Sequence, residues 1–328
     1  MREFYASATY YGIGDIIKKY AKFPNFLPFP VAIQHGWSNS TGKHDARFDV
    51  PENWYWSDGI EQKYRQEFEG LSTRAISSPF LYLLKLMGYR EYPTSQRRGS
   101  IIFPSHSAAF IGMECDFEQY ADLLDRLPDK YKPITVCIYH LDADKGLDKP
   151  FLDKGFEVVS NGTSIYETKF LENFILNTQN KKYAFSNQMT SALLFASVLG
   201  LKSFFYGPSF ITKSTDPHHE GVDYNQYHRK WESECRQYFT FPDCNLAAQQ
   251  EFVAQELGKD NLFSPWQMRW LLWRLVLTKP YLKRLKNELR NLLASWLKKK
   301  IPILFRYREA WRTNIKRLRI ASNENSPH

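Results

Sequence analysis

Few groups in this chain have the type and spacing to do chemistry, and they cluster where apolar runs end. His35-Gly36 closes the run Val31-Ala32-Ile33-Gln34. An imidazole there has the intrinsic pKa range of a general base. Asp58, in the turn Ser57-Asp58-Gly59, is the rival base from the same stretch, or simply a turn residue. After Phe103-Pro104 comes Ser105-His106-Ser107. A histidine flanked by two hydroxyls can bind a phosphate as a cation, act as an acid, or merely satisfy a loop carbonyl. The strongest local signal is Tyr183-Ala184-Phe185-Ser186-Asn187-Gln188-Met189-Thr190-Ser191-Ala192, where a strand runs through a polar turn into a helix. Asn187 or Gln188 is expected to cap that helix. Its first-turn N–H groups, with the hydroxyls of Thr190 and Ser191, then form either a phosphate cradle or an ordinary cap. The next strand ends at Tyr206-Gly207, on the same edge.

Two acidic groups invite a metal reading. Asp142-Ala143-Asp144 has the Asp-x-Asp form, but a three-residue match beside Lys145-Gly146 is expected to be a solvated loop. Asp216-Pro217-His218-His219-Glu220 bunches its ligands in one loop, with no partner set elsewhere, and reads as an acceptor or lid loop. GxGxxG, Walker A, GxSxG and HExxH patterns are missing, so dehydrogenase, P-loop and hydrolase readings lack their defining residues. Cys115, Cys137, Cys235 and Cys244 have no CxxC spacing, which points to a reducing compartment rather than a disulfide framework.

The elements that must position these groups follow from periodicity. Strands are expected at 100–103, 134–139, 157–160, 183–185 and 202–206. Helices between them are expected at 116–127, 149–154, 164–177 and 190–199. That alternation implies crossovers and a parallel sheet with ligand-binding loops at its C-terminal edge. Residues 1–95 read as loop-rich, with two strands at 31–34 and 53–57 and helices at 59–69 and from Pro79 to a stop at Gly88. Residues 94–99 read as a linker. Residues 208–263 read as polar and irregular, with a helix near 227–238.

The 328 residues suffice for two modest domains. Net charge is +9, but residues 264–320 alone carry 16 Lys or Arg against Glu288 and Glu309, a local +14 that leaves −5 for the rest. In this tail Leu282, Leu285, Leu289, Leu292, Leu293, Trp296 and Leu297 recur at helical spacing among cations. With Trp266, Trp270, Trp273 and Trp311, that pattern suits an anionic membrane surface better than nucleic acid. The N-terminus has no signal pattern and no apolar run is long enough to span a bilayer, so the expected location is cytoplasmic, peripheral to the inner membrane.

The run Tyr183 to Leu199 with Leu201-Lys202-Ser203-Phe204-Phe205-Tyr206-Gly207 resembles the donor-binding half of GT-B glycosyltransferases of bacterial capsule and O-antigen assembly. Val31 to Ser38 resembles their "QHG" acceptor loop, and Ser78-Pro79-Phe80-Leu81-Tyr82 is similar to a segment of that group. The resemblance covers roughly residues 30–210. It implies an α/β, GT-B-like fold: an abridged acceptor-side domain (1–95), a Rossmann-like nucleotide-sugar domain (96–263) and a basic amphipathic helical tail (264–328). It further implies a transferase moving a sugar from a nucleotide donor to a cell-surface glycan or lipid-linked acceptor. His35 or Asp58 would be the base. Ser105, His106, Ser107, Asn187, Thr190, Ser191, Tyr206 and Gly207 would surround the donor. No cofactor and no obligatory divalent metal are expected. A polyol-phosphate transferase and a non-catalytic membrane-associated assembly factor are the alternatives.

Overall fold

Three short backbone segments, Ala32–Ile33 (β1), Asn53–Tyr55 (β2) and Thr73–Ala75 (β3), pair in parallel in that order in the computed structural model, which describes residues 3–107, 111–214 and 232–300. β1 and β2 are wholly buried, whereas β3 is half-buried throughout. This explains why the sequence announces only two strands here: Thr-Arg-Ala has no apolar run, and backbone pairing alone defines it. Helix Ile13–Ala21 (α1) likewise occupies a stretch expected to be loop, although Ile13, Ile16, Ile17 and Tyr20 are buried at helical spacing. Helices Asp58–Glu67 (α2) and Pro79–Met87 (α3) fall where expected. In α3 the Ser78 hydroxyl accepts from the Phe80 N–H, Pro79 fills the first turn, and Gly88 stops the helix at φ +60°.

The second sheet contains the five expected strands, Ser100–Ile102 (β4), then Ile134–Cys137 (β6), Glu157–Val159 (β7), Tyr183–Ser186 (β8) and Lys202–Phe205 (β9). All neighbours are parallel, in the order β7-β6-β4-β8-β9. Numbered within the sheet this is 3-2-1-4-5, a Rossmann-like order with its switch point between β4 and β8. Helices Phe117–Asp125 (α4), His140–Ala143 (α5), Lys149–Asp153 (α6), Phe170–Thr178 (α7) and Ser191–Val198 (α8) fill the connections. β4, β6 and β8 are buried at every position, as strands covered on both faces must be. Phe185, Phe204, Tyr120, Tyr131 and Phe151 build the core on one side. The fold is therefore α/β, with two parallel sheets, the first of three strands and the second of five.

Three expectations need correction. Ile111–Cys115 (β5) and Phe210–Ser214 (β10) form an antiparallel pair outside both sheets, where loop was expected. The linker 94–99 is tied down: Arg97 is buried, and its guanidinium donates to the Leu199 carbonyl at 2.6 Å. Residues 208–263, read as irregular, contain the helix Leu246–Glu256, capped by Asn245. The loop 216–220, and the expected helix near 227–238 up to residue 231, lie outside the described residues; from there residues 232–235 are helical as expected and run into a 3-10 turn at Arg236–Tyr238.

The chain divides into two compact units, Met1–Leu275 and one beginning at Val276. Both sheets belong to the first. The tail is helical as expected, in the segments Pro265–Val276 and Lys279–Lys300. Among the described residues no helix is long and apolar enough to cross a membrane.

Candidate functional site

The C-terminal ends of strands from both sheets open on one cavity of about 290 Å³. The loop after β1 contributes His35, Gly36 and Trp37. The loop after β4 contributes Phe103, Pro104 and His106. Cys137, Ile138 and Tyr139 come from the end of β6, Ser160 and Asn161 from the loop after β7, and Gln188 to Ala192 from the turn between β8 and α8. The loops after β4 and β8 flank the switch point, where an open parallel sheet leaves a crevice.

The floor is aromatic. Phe80 stacks on Phe195 with ring centroids 4.2 Å apart, and Phe103 on Phe174 at 5.3 Å. Among the described lining residues there is no Lys, Arg, Asp or Glu. The polar side chains that line it include His35, His106, Tyr11, Tyr139, Asn161, Gln188, Thr190 and Ser191. The His106 ring lies 4.5 Å from that of Tyr139, and its Nδ1 is 2.8 Å from the Ser107 carbonyl. A carbonyl only accepts, so Nδ1 is the donor in this contact. The His35 ring packs edge-on against Tyr10 at 5.3 Å. Burial pushes the hydroxyls of Tyr11 and Tyr139 above the ordinary tyrosine range, and the neighbouring Tyr139 raises that of Tyr11 further. Tyr11 also has φ +55°, a left-handed backbone costly for an aromatic residue. Its N–H donates to the Ile165 carbonyl at 2.7 Å, and its ring meets Phe170 at 4.5 Å.

The turn after β8 differs from expectation in one respect. Thr190, not Asn187 or Gln188, is the N-cap of α8, and its side chain does not cap. Its Oγ1 is buried without a partner among the described residues. The Ser191 hydroxyl accepts from the Trp37 N–H at 2.8 Å, tying the first sheet's loop to the helix after β8.

Asn187 instead fastens loops to one another. Its Oδ1 accepts from the Ser105 N–H at 2.7 Å, and its Nδ2 donates to Ser105 Oγ at 3.1 Å and to the Pro208 carbonyl at 3.0 Å. Ser107 is held by Asp142, with N–H to Oδ2 at 2.9 Å and Oγ to Oδ1 at 2.5 Å. Asp142 is thus a buried anchor in α5, not part of a solvated loop. Gly207 has φ +136°, and a Cβ there would lie 2.6 Å from the Tyr120 ring, so only glycine fits. Tyr206 donates its hydroxyl to the Leu123 carbonyl at 3.1 Å. Asp58 opens α2 in an exposed position. Of the residues singled out in the sequence, His35, His106, Thr190 and Ser191 line the cavity. Ser105, Ser107, Asn187, Tyr206, Gly207 and Asp58 do not.

Cys137 is no nucleophile, since burial pushes its thiol up to about 12 against the hydrogen bonds of Asn161. Among the described residues no group of three or more His, Cys, Asp or Glu could hold a metal. Sequence reasoning missed Tyr11, Trp37 and Tyr139. Tyr139 ends a recognised strand and so was findable; Tyr11 reaches the cavity only through its unusual backbone.

No protein-family model matches the chain, and no curated protein sequence is significantly similar. Among solved structures, the S. aureus MnaA–UDP complex is 8% identical, with 80% of this chain and 77% of that one covered at a TM-score of 0.37. The UDP-GlcNAc 2-epimerase from Neisseria meningitidis bound to UDP-GlcNAc is 8% identical over 68% and 60%, at 0.32. A TarM variant of S. aureus in complex with fondaparinux, alpha-GlcNAc-glycerol and UDP is 8% identical over 80% and 50%, at 0.33.

Proposed function

We propose that this chain is a glycosyltransferase that takes a sugar from a nucleotide-sugar donor and passes it to a cell-surface glycan or lipid-linked acceptor. One observation carries the reading: a single cavity lies across the C-terminal edges of two parallel sheets, at the switch point of the larger one. Donor and acceptor can then approach each other from different sheets.

On this reading the donor diphosphate rests on the N-terminus of α8, where the first-turn N–H groups and the Thr190 hydroxyl stabilise the leaving charge. His106 presents a second polar group across the switch point. His35, from the first sheet, takes the proton of the acceptor hydroxyl. The acceptor oxygen bonds to the anomeric carbon as the bond from that carbon to the nucleotide diphosphate breaks. Asp58 is left out because it does not line the cavity. Metal independence is part of the proposal, supported by the commitment of Asp142 to Ser107.

Thermal denaturation with UDP, GDP, CMP and their sugar derivatives tests the reading. A ligand at about a hundred times its Kd adds about 2.7 kcal/mol of stability. Saturable stabilisation by one nucleotide class is expected; no stabilisation by any of them at millimolar concentration would overturn the proposal.

A further inference from the structure

The helix Pro265–Val276 is docked by one side. Met268, Leu271, Leu272 and Leu275 are buried. Arg269 Nε donates to the Ala21 carbonyl at 2.7 Å, and Arg274 Nη2 donates to Glu52 Oε1 at 2.7 Å. The same carboxylate takes two further bonds from Arg74, both 2.7 Å. The helix is therefore rigidly placed, and what its other side presents is fixed.

That other side carries Trp266, Trp270 and Trp273, at helical spacing i, i+4 and i+7. They are 70, 58 and 43% exposed. Trp273 rests its ring on Phe23 at 5.1 Å, and the Arg274 guanidinium lies 5.7 Å from the Trp270 ring. Tryptophan is normally among the better-buried side chains, so a ridge of three on an anchored helix marks an interaction surface. An indole suits the headgroup level of a bilayer, having an apolar body and one N–H.

The chain then enters the helix Lys279–Lys300, which has eight Lys or Arg against one acid, Glu288. Taken by itself, that helix exposes Leu282, Leu289, Leu292, Leu293 and Trp296. These fall on one side by helical spacing, with Lys283, Arg284 and Arg290 away from them. A cationic, one-sided helix is attracted to anionic lipid.

We infer that Trp266, Trp270 and Trp273 are the insertion edge of a peripheral surface for anionic bilayers, with the cations of 279–300 supplying the long-range attraction. The tryptophans belong to the folded body, so membrane contact is made by that body and not by the basic helix alone. The inference does not rest on the nucleotide-sugar reading.

Co-sedimentation of the full chain with vesicles of equimolar phosphatidylglycerol and phosphatidylcholine, and with phosphatidylcholine alone, tests it. The parent is expected to bind the anionic vesicles with a blue shift of indole emission. Trp266→Ala with Trp270→Ala should weaken that binding about tenfold or more, with an unchanged far-UV melt and an unchanged nucleotide response. Trp266→Glu alone, at the most exposed position, should weaken it in the same direction and guards against misfolding of the double variant. Lys283→Glu with Arg290→Glu should reduce binding in a salt-sensitive way. The inference is overturned if the parent ignores anionic vesicles or if the tryptophan variants bind them as well as the parent. It is equally overturned if the parent prefers an RNA homopolymer, or if it is a dimer that the tryptophan variants split.

Discussion

The indole N–H of Trp37 donates to Glu256 Oε2 at 2.5 Å, while the backbone N–H of the same residue donates to Ser191 Oγ at 2.8 Å. The loop after β1 is thereby held from two directions, by the end of the helix Leu246–Glu256 and by the start of α8. Both His35 and the cavity wall depend on that loop.

Burial pushes the Glu256 carboxyl up, and Glu234 adds to the rise, against the hydrogen bond of Trp37 and the charge of Lys63. A raised carboxyl keeps its proton in the folded state to higher pH than in the unfolded chain. Its stabilising effect is complete below the unfolded value of about 4.3 and declines as pH rises through the folded value. Glu256→Gln keeps an acceptor for the indole and removes the charge. It should be at least as stable as the parent at neutral pH and show a flatter pH dependence above about 4.3. Glu256→Leu takes the acceptor away and should cost about 1–3 kcal/mol. Urea titrations across a pH series check both.

Asn187 joins the loops after β4, β8 and β9 through Ser105 and Pro208. Asn187→Leu strands the buried Ser105 N–H and the Pro208 carbonyl together. Each lost partner costs about 1–3 kcal/mol, so a loss of about 2–6 kcal/mol is expected, large for a single substitution. Chemical denaturation measures it. A loss below about 1 kcal/mol would mean that these loops hold without the amide.

The larger sheet was legible because its strands are short apolar runs between turn signals, and burial on both faces leaves periodicity nothing else to encode. β3, β5 and β10 were not legible, because Thr73–Ala75 is half-buried and the β5–β10 pair lies outside both sheets. The site was legible as a set of loops but not as a set of roles. Asn187, Ser105 and Ser107 look like anion ligands in a sequence, since short polar side chains suit that task and loop fastening equally well. Only geometry shows that Asp142 and Asn187 have already used them. Thr190 went the other way: Asn187 or Gln188 was the expected cap, and the residue that takes the position leaves its hydroxyl unused.

Glu52 predicts the acid limit of the fold. Burial pushes its carboxyl up, but the hydrogen bonds and charge of Arg74, the Trp54 indole and the charge of Arg274 outweigh this and hold it below the ordinary carboxylate range. A depressed carboxyl contributes stability that is present above the unfolded value of about 4.3 and lost as pH falls through the folded value. Acid titration below about pH 4.3 should therefore release the helix Pro265–Val276, read as a change in tryptophan emission. Glu52→Gln should lower stability at neutral pH and flatten that acid limb. An unchanged acid limb in this variant would assign the transition to other groups.

Thr190 separates the fold's needs from the ligand's. Among the described residues its Oγ1 is buried and unpartnered, and its side chain does not cap α8. Thr190→Val keeps the shape and the β-branched backbone preference, and exchanges an unsatisfied hydroxyl for a methyl. A hydroxyl that served the fold would cost stability on removal. This one should cost nothing, and the variant should be as stable as the parent or slightly more so. If the hydroxyl instead donates to a donor phosphate at the N-terminus of α8, the same substitution should weaken nucleotide binding by about 1–2 kcal/mol, five- to thirtyfold in Kd. Thermal melts without and with nucleotide read both effects on one sample. Unchanged stability with unchanged affinity would remove Thr190 from the ligand's contacts. A destabilised variant would mean that the hydroxyl has a structural partner after all.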